Sequence, residues 1–195
     1  MKARKKLILG VMGAAALLLS GCANPSKHML NVSEPAVVST PAPDKATLVF
    51  LRPSLFGGAI QSPVFDVTDG APQFVGIVSA STKLAYASPP GKRRLMVVGE
   101  NAGFLDAELG TARTYYARVE PQMGIWKARF VLEPVPASTS ALAGELNNCK
   151  WVENGPTAGD WARENMPSVK AKMANYLPDW EKQATKPALH PEDGR

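Results

Sequence analysis

Imidazoles and thiols carry much of the nucleophilic and metal-binding chemistry open to a protein. This chain of 195 residues has few of either: His28, His190, Cys22 and Cys149. Histidine is the commonest general base and a leading metal ligand. Both histidines lie outside the apolar runs, so neither a Ser-His-Asp triad nor a His-rich zinc site is expected. Cys149 alone can form no internal CxxC redox site or four-Cys zinc site. It reads as a buried residue, with an intermolecular disulfide as the alternative. The carboxylates offer one pair. Asp106 and Glu108 stand two apart on a predicted strand and point the same way, about 7 Å apart at Cα. That separation overlaps the range glycosidases use. The plainer reading is a solvated strand face alternating with Leu105, Ala107 and Leu109. Lys92-Arg93-Arg94 is a basic cluster that suits lipid phosphate, where each cation contributes about 1 kcal/mol. The plainer reading is a charged strand edge that blocks edge-to-edge pairing. No GxxxxGK[ST] or GxGxxG phosphate loop is present. No catalytic residue, metal ligand or cofactor is therefore assigned, and the chain is not expected to be an enzyme.

The amino terminus is more specific. Lys2, Arg4, Lys5 and Lys6 crowd the first six positions, and Leu7–Leu19 follows with no charge. Thirteen residues are short of the ~20 needed to span a bilayer. A basic head and a short apolar core form a secretory signal. Leu19-Ser20-Gly21-Cys22 resembles the bacterial lipobox, a Leu, two small residues and a Cys. The resemblance implies diacylglycerol transfer to the Cys22 thiol, cleavage after Gly21 and acylation of the new amino terminus. Ala23 and Asn24 follow where Asp would favour retention at the inner membrane, so an outer-membrane anchor with the domain in the periplasm is expected. The formal charge of +5 then loses its nucleic-acid flavour. Without residues 1–21, 18 Lys and Arg face 17 Asp and Glu, a net +1.

Composition divides the remainder. Residues 22–45, with Pro25, Pro35, Pro41 and Pro43, read as the lipidated Cys and a flexible tether reaching up to about 60–70 Å. Residues 46–136 show short apolar segments broken by Gly and Pro every eight to twelve residues. This pattern predicts an antiparallel β-sandwich of about eight strands. The cleanest alternation lies in Ile125–Val135, where Trp126, Ala128, Phe130 and Leu132 share one side. Tyr115 is expected to point inward and Tyr116 outward, beside Arg118. Residues 137–184 read as a helical extension: a short helix over Ala141–Asn148, then one from Trp161 with a kink or new start at Pro167. Val169, Met173, Tyr176 and Trp180 form an apolar stripe for packing on the domain. Residues 185–195 read as a disordered tail.

Ala46-Thr47-Leu48-Val49-Phe50-Leu51-Arg52-Pro53, Phe65-Asp66-Val67 before Asp69-Gly70, Gly76, Ser88-Pro89-Pro90-Gly91 and Thr114-Tyr115-Tyr116 together resemble a family of bacterial lipoproteins classed as a domain of unknown function. The resemblance covers about ninety residues. It implies a small prealbumin-like or PEGA-like sandwich, and no catalytic residues come with it. The expected role is a non-enzymatic, lipid-anchored binding or structural module. Its expected partners are the membrane, through the lipid, and an envelope protein or cell-wall component, with no nucleic acid. A first alternative is a ligand-binding lipoprotein with a cavity between the sheet and the C-terminal helices, near Trp126, Phe130 or Trp161. A second is a cell-wall carbohydrate-active enzyme using Asp106 and Glu108.

Overall fold

The computed structural model describes residues 27–39, 42–124 and 128–195. The signal segment, Cys22 and Trp126 lie outside the described residues. In chain order the elements are β1 (Met29–Asn31), α1 (Ala36–Ser39), β2 (Ala46–Arg52), β3 (Ser62–Asp66), β4 (Gln73–Val78), β5 (Thr82–Ser88), β6 (Gly91–Val98), β7 (Ala102–Leu109), β8 (Thr114–Gln122) and β9 (Arg129–Val135). Then come α2 (Leu142–Asn148), β10 (Lys150–Asn154), α3 (Ala158–Glu181), β11 (Ala188–Leu189) and a 3-10 turn at Pro191–Asp193.

The protein is mainly β, built as two sheets with a C-terminal helical element. One sheet has the order β1-β10-β5-β2-β8-β9, the other β11-β7-β6-β3-β4. Between them lies the main core, which includes Leu48, Phe50, Val64, Ile77, Leu95 and Tyr115. Each outer face is also covered. Helix α3 lies on the second sheet, packing Val169 and Trp180 against Phe65, Met96 and Phe104. Leu142 of α2 and the adjacent Cys149 lie on the first, against Val49, Leu51 and Tyr116. Strand β2 is therefore buried on both faces, which explains why Leu48–Leu51 is a continuous apolar run and not an alternation.

Several expectations need correction. The sheets are mixed, not purely antiparallel. β2 pairs with β8, β5 with β10, and β7 with β11 in parallel, because the chain visits the other sheet or a helix before it returns. The segment expected to be a flexible tether carries a strand and a short helix among its described residues. β1 pairs antiparallel with β10, and Met29 is only 4% exposed within the main core. Three residues show no period, so backbone pairing at an open sheet edge recruited a segment whose composition had no say. The extension is not all helix, since β10 inserts into the first sheet between β1 and β5. The tail is also ordered. Leu189 is 1% exposed, β11 lies beside Asp106 and Ala107, and Arg195 and Thr114 exchange backbone hydrogen bonds of 3.1 and 2.8 Å.

Two further corrections concern single residues. Tyr115 points into the main core as expected, but Tyr116 is buried too, because α2 covers the face it was expected to expose. Helix α3 runs unbroken through Pro167 and Pro178, both exposed. Proline in a helix interior costs about 3 kcal/mol. Burial of Val169 and Trp180, each contributing roughly 1.5–3 kcal/mol, offsets that cost. The apolar stripe packs on its own domain, with Met173 and Tyr176 half-buried beside the two buried residues. In β9 the alternation holds: Ala128, Phe130 and Leu132 are buried, while Arg129, Val131 and Glu133 are half-exposed. Gly103 lets this strand approach β7, since a Cβ there would meet the Phe130 carbonyl oxygen at 2.5 Å.

Candidate functional site

The strand pair β6–β7 sets Lys92 opposite Glu108 and Arg94 opposite Asp106. This register brings the basic cluster and the carboxylate pair, which are separate features in the sequence, onto one surface. The C-terminal half of α3 and the start of the tail close over it. The result is an open groove of about 620 Å³ between the second sheet and α3. Met173, Leu177, Val67 and Leu189 supply its apolar lining, and Lys92, Glu108 and His190 its exposed polar residues. Its volume lies within the range of small-molecule sites.

Arg94 organises the polar side. Its Nε donates to Asp106 Oδ1 at 2.8 Å and its Nη2 to Oδ2 at 3.3 Å, while Nη1 donates to Glu181 Oε1 at 2.8 Å. The guanidinium also stacks 4.8 Å above the Trp180 ring. The hydrogen bonds to Asp106, above all, hold its pKa above the ordinary arginine value. Such a planar fork suits bidentate carboxylate pairing. Asp106 is thus occupied on both oxygens by a cation, and Glu108 is exposed. This arrangement gives the glycosidase reading no desolvated acid partner.

Asp66 is a polar hub beneath the groove that the sequence reading did not single out as a site. It is 3% exposed. Oδ1 accepts from the Thr68 backbone N–H and hydroxyl at 2.9 and 2.5 Å, and Oδ2 accepts from Tyr86 Oη at 3.1 Å. Arg93 Nη1 lies 3.9 Å from Oδ2, and Arg93 Nε donates to the Pro89 carbonyl at 3.2 Å. Burial first, and then the Asp66 charge, push the Tyr86 phenol up to about 12. Thr68 Oγ1 also accepts from the Arg94 backbone N–H at 3.0 Å, linking the hub to the groove wall. The available signal was Asp66-x-Thr68 before a turn, a side-chain-to-backbone pattern of Asx type. Of the basic cluster, Arg93 and Arg94 are committed to carboxylates, while Lys92 faces solvent at the groove.

The two histidines end far apart in the fold. His190 borders the groove and caps the 3-10 turn. His28 lies where the chain joins β1, its Nδ1 2.9 Å from Thr157 Oγ1 and its ring centroid 6.1 Å from that of Trp161. Trp161 lines a smaller crevice of about 190 Å³ with Ile60 and Val169. Phe130 sits in the main core and lines neither cavity. Cys149 is free and buried, and burial pushes its thiol up to about 11. Among the described residues, no three His, Cys, Asp or Glu side chains gather to hold a metal ion.

A second unanticipated residue is Arg52, which is fully buried. Its Nη1 donates to the Ile60 carbonyl at 2.7 Å, and its Nη2 to the Phe56 and Gly57 carbonyls at 2.8 and 2.9 Å. The guanidinium lies 4.8 Å from the Phe130 ring centroid. Burial lowers its pKa to about 10. The cation thus gathers the 54–61 loop around itself with backbone dipoles in place of a carboxylate. The one hint was a charged residue ending an otherwise apolar strand.

Fold and groove together define a helix-covered, two-sheet β domain with an open amphipathic cleft at one side. No protein-family model matches the sequence, and no curated protein matches it significantly.

Proposed function

We propose that this chain is a bacterial envelope lipoprotein whose β domain is a non-enzymatic binding module. The observation that carries this reading is Leu19-Ser20-Gly21-Cys22 behind a tetracationic head and a thirteen-residue apolar core. A spanning helix is the wrong length for that segment, and among the described residues no helix is long and apolar enough to cross a membrane. A lipid on Cys22 supplies the membrane attachment instead. Each buried CH₂ contributes about 0.8 kcal/mol, and one acyl chain alone anchors only marginally, so the two or three chains of a bacterial lipoprotein make the anchor stable. Ala23-Asn24 supports delivery to the outer membrane, with the domain in the periplasm. The resemblance to lipoproteins of a domain of unknown function points the same way.

The test compares the full-length chain with its Cys22→Ser variant. The native chain is expected in the membrane fraction, with a mass lacking residues 1–21 and carrying acyl groups, and the variant in the soluble fraction. An intact Met1 or a bare thiol at the mature start overturns the reading, as does a variant that still sediments with membranes.

The groove favours a more specific form of this reading, a ligand-binding lipoprotein with its site between the sheet and the C-terminal helix. Apolar Met173 and Leu177 beside Arg94, Asp106 and Glu181 suit an amphipathic ligand. Met173→Glu is expected to abolish capture of such a ligand without unfolding the domain.

A further inference from the structure

His28 is fixed to the domain only a few residues after Cys22. The His28 carbonyl accepts from Gly155 N–H at 2.8 Å, its imidazole meets Thr157, and Met29 is buried against β10. Only six Cα steps separate Cys22 from His28. Even fully extended, six residues span at most about 22 Å. A compact domain of this size has a radius of gyration of about 15 Å, hence a diameter of roughly 40 Å. A leash shorter than the domain's diameter cannot let the domain turn its far side to the bilayer. The point of attachment must stay within the leash length of the interface.

Resting on the lipid-anchor reading, we infer that the face around His28, Leu30, Gly155 and Thr157 is apposed to the headgroups of the bilayer that holds the lipid. Leu30 lies beside the attachment point and is 53% exposed, an apolar side chain placed where it meets the interface. The groove lies well away from the attachment point along α3. Helix α3 starts at the attachment point, with Trp161 against His28, and reaches the groove at Met173 to Glu181. Those 12 to 20 residues rise about 18–30 Å along the axis. The partner of the first face is thus a phospholipid surface, and the helix acts as a spacer that leaves the groove open to the aqueous compartment.

The test uses the lipidated full chain in vesicles of phosphatidylethanolamine and phosphatidylglycerol with an acceptor dye on the headgroups. A donor is placed at Glu153→Cys, beside Leu30, or at Glu108→Cys, on the groove. The parent chain, whose remaining thiol is the buried Cys149, gives the labelling background. Energy transfer is expected to be several-fold stronger from position 153 than from 108. Inserting twenty Gly and Ser residues between Asn24 and Pro25 is expected to bring the two signals together. Equal transfer from both positions on the native-length leash overturns the proposal, and so does a difference that the insertion leaves unchanged. Failure of the anchor itself shows separately, as a missing acyl mass in the same sample.

Discussion

Met29 faces Asn154 across an antiparallel strand pair, so a residue seven positions after Cys22 is already part of the sheet. That pairing brings the folded sheet much nearer to Cys22 along the chain than a domain starting at residue 46 would. It also makes Met29–Asn31 part of the folding unit. Replacing Met29 by Ala removes a side chain that is 4% exposed in the main core. Buried Met→Ala changes cost about 2–5 kcal/mol. Urea unfolding of the unlipidated domain is expected to show a loss in that range. A loss below about 0.5 kcal/mol would mean β1 does not belong to the cooperative unit.

Arg52 is expected to be the most sensitive polar position. Arg52→Ala leaves the Phe56, Gly57 and Ile60 carbonyls without their donor and opens a void beside Phe130. Each of these part-buried acceptors left without its cationic donor costs at least about 1 kcal/mol. A total of about 3–5 kcal/mol is expected, with new proteolytic cleavage between Ser54 and Gln61. Arg52→Lys keeps the charge but not the fork, and should recover only part of the loss. An undiminished midpoint for the Ala variant would refute this account of the loop.

The carboxyl-terminal residues are expected to be structural. Deleting 188–195 removes buried Leu189, the Arg195–Thr114 backbone exchange and the Gly194 carbonyl that accepts from Arg113. Leu189 alone contributes roughly 1.5–3 kcal/mol. A domain of this size loses about 2–4 °C of Tm per kcal/mol, so a fall of about 6–12 °C is expected by calorimetry for a total near 3 kcal/mol. An unshifted transition would restore the view of these residues as a frayed tail.

Cys149 sets an alkaline dependence with a definite sign. Its thiol ionises near its ordinary 9.0 in the unfolded chain and near 11 when folded, so between these values the folded state holds the extra proton. Stability present below pH 9 is therefore lost as pH rises through 11. Relative to Cys149→Ala, the native chain should lose part of its stability advantage between pH 9 and 11. Tyr86 titrates in both proteins and cancels to first order, while the Lys83 charge, which favours the thiolate, opposes but does not outweigh burial. Denaturation curves at pH 8 and 10.5 measure this, and a constant difference would contradict it. Alkylation of Cys149 in the folded protein should also be slow, since the thiol is both buried and protonated.

The sequence by itself determined the features that depend on neighbours along the chain. The cationic head, the apolar run and Leu19-Ser20-Gly21-Cys22 lie within 22 contiguous residues, and the alternation of Ala128, Phe130 and Leu132 needs only the period of a strand. The β-rich class and the packed stripe of α3 were legible for the same reason: burial writes itself into local periodicity. Tertiary structure alone decided what distant segments do for one another. Met29 and Leu189 sit in segments too short to carry a period, and they became core only because an open strand edge offered them backbone partners. Tyr116 reversed its expected exposure because α2 covers it. The groove exists because β6, β7, α3 and the chain end meet, bringing Arg94, Asp106 and Glu181 together from three separate elements. Side-chain period records which face of an element is dry, but not what dries it, and the identity of that cover is what shaped both the cleft and the early start of the sheet at Met29.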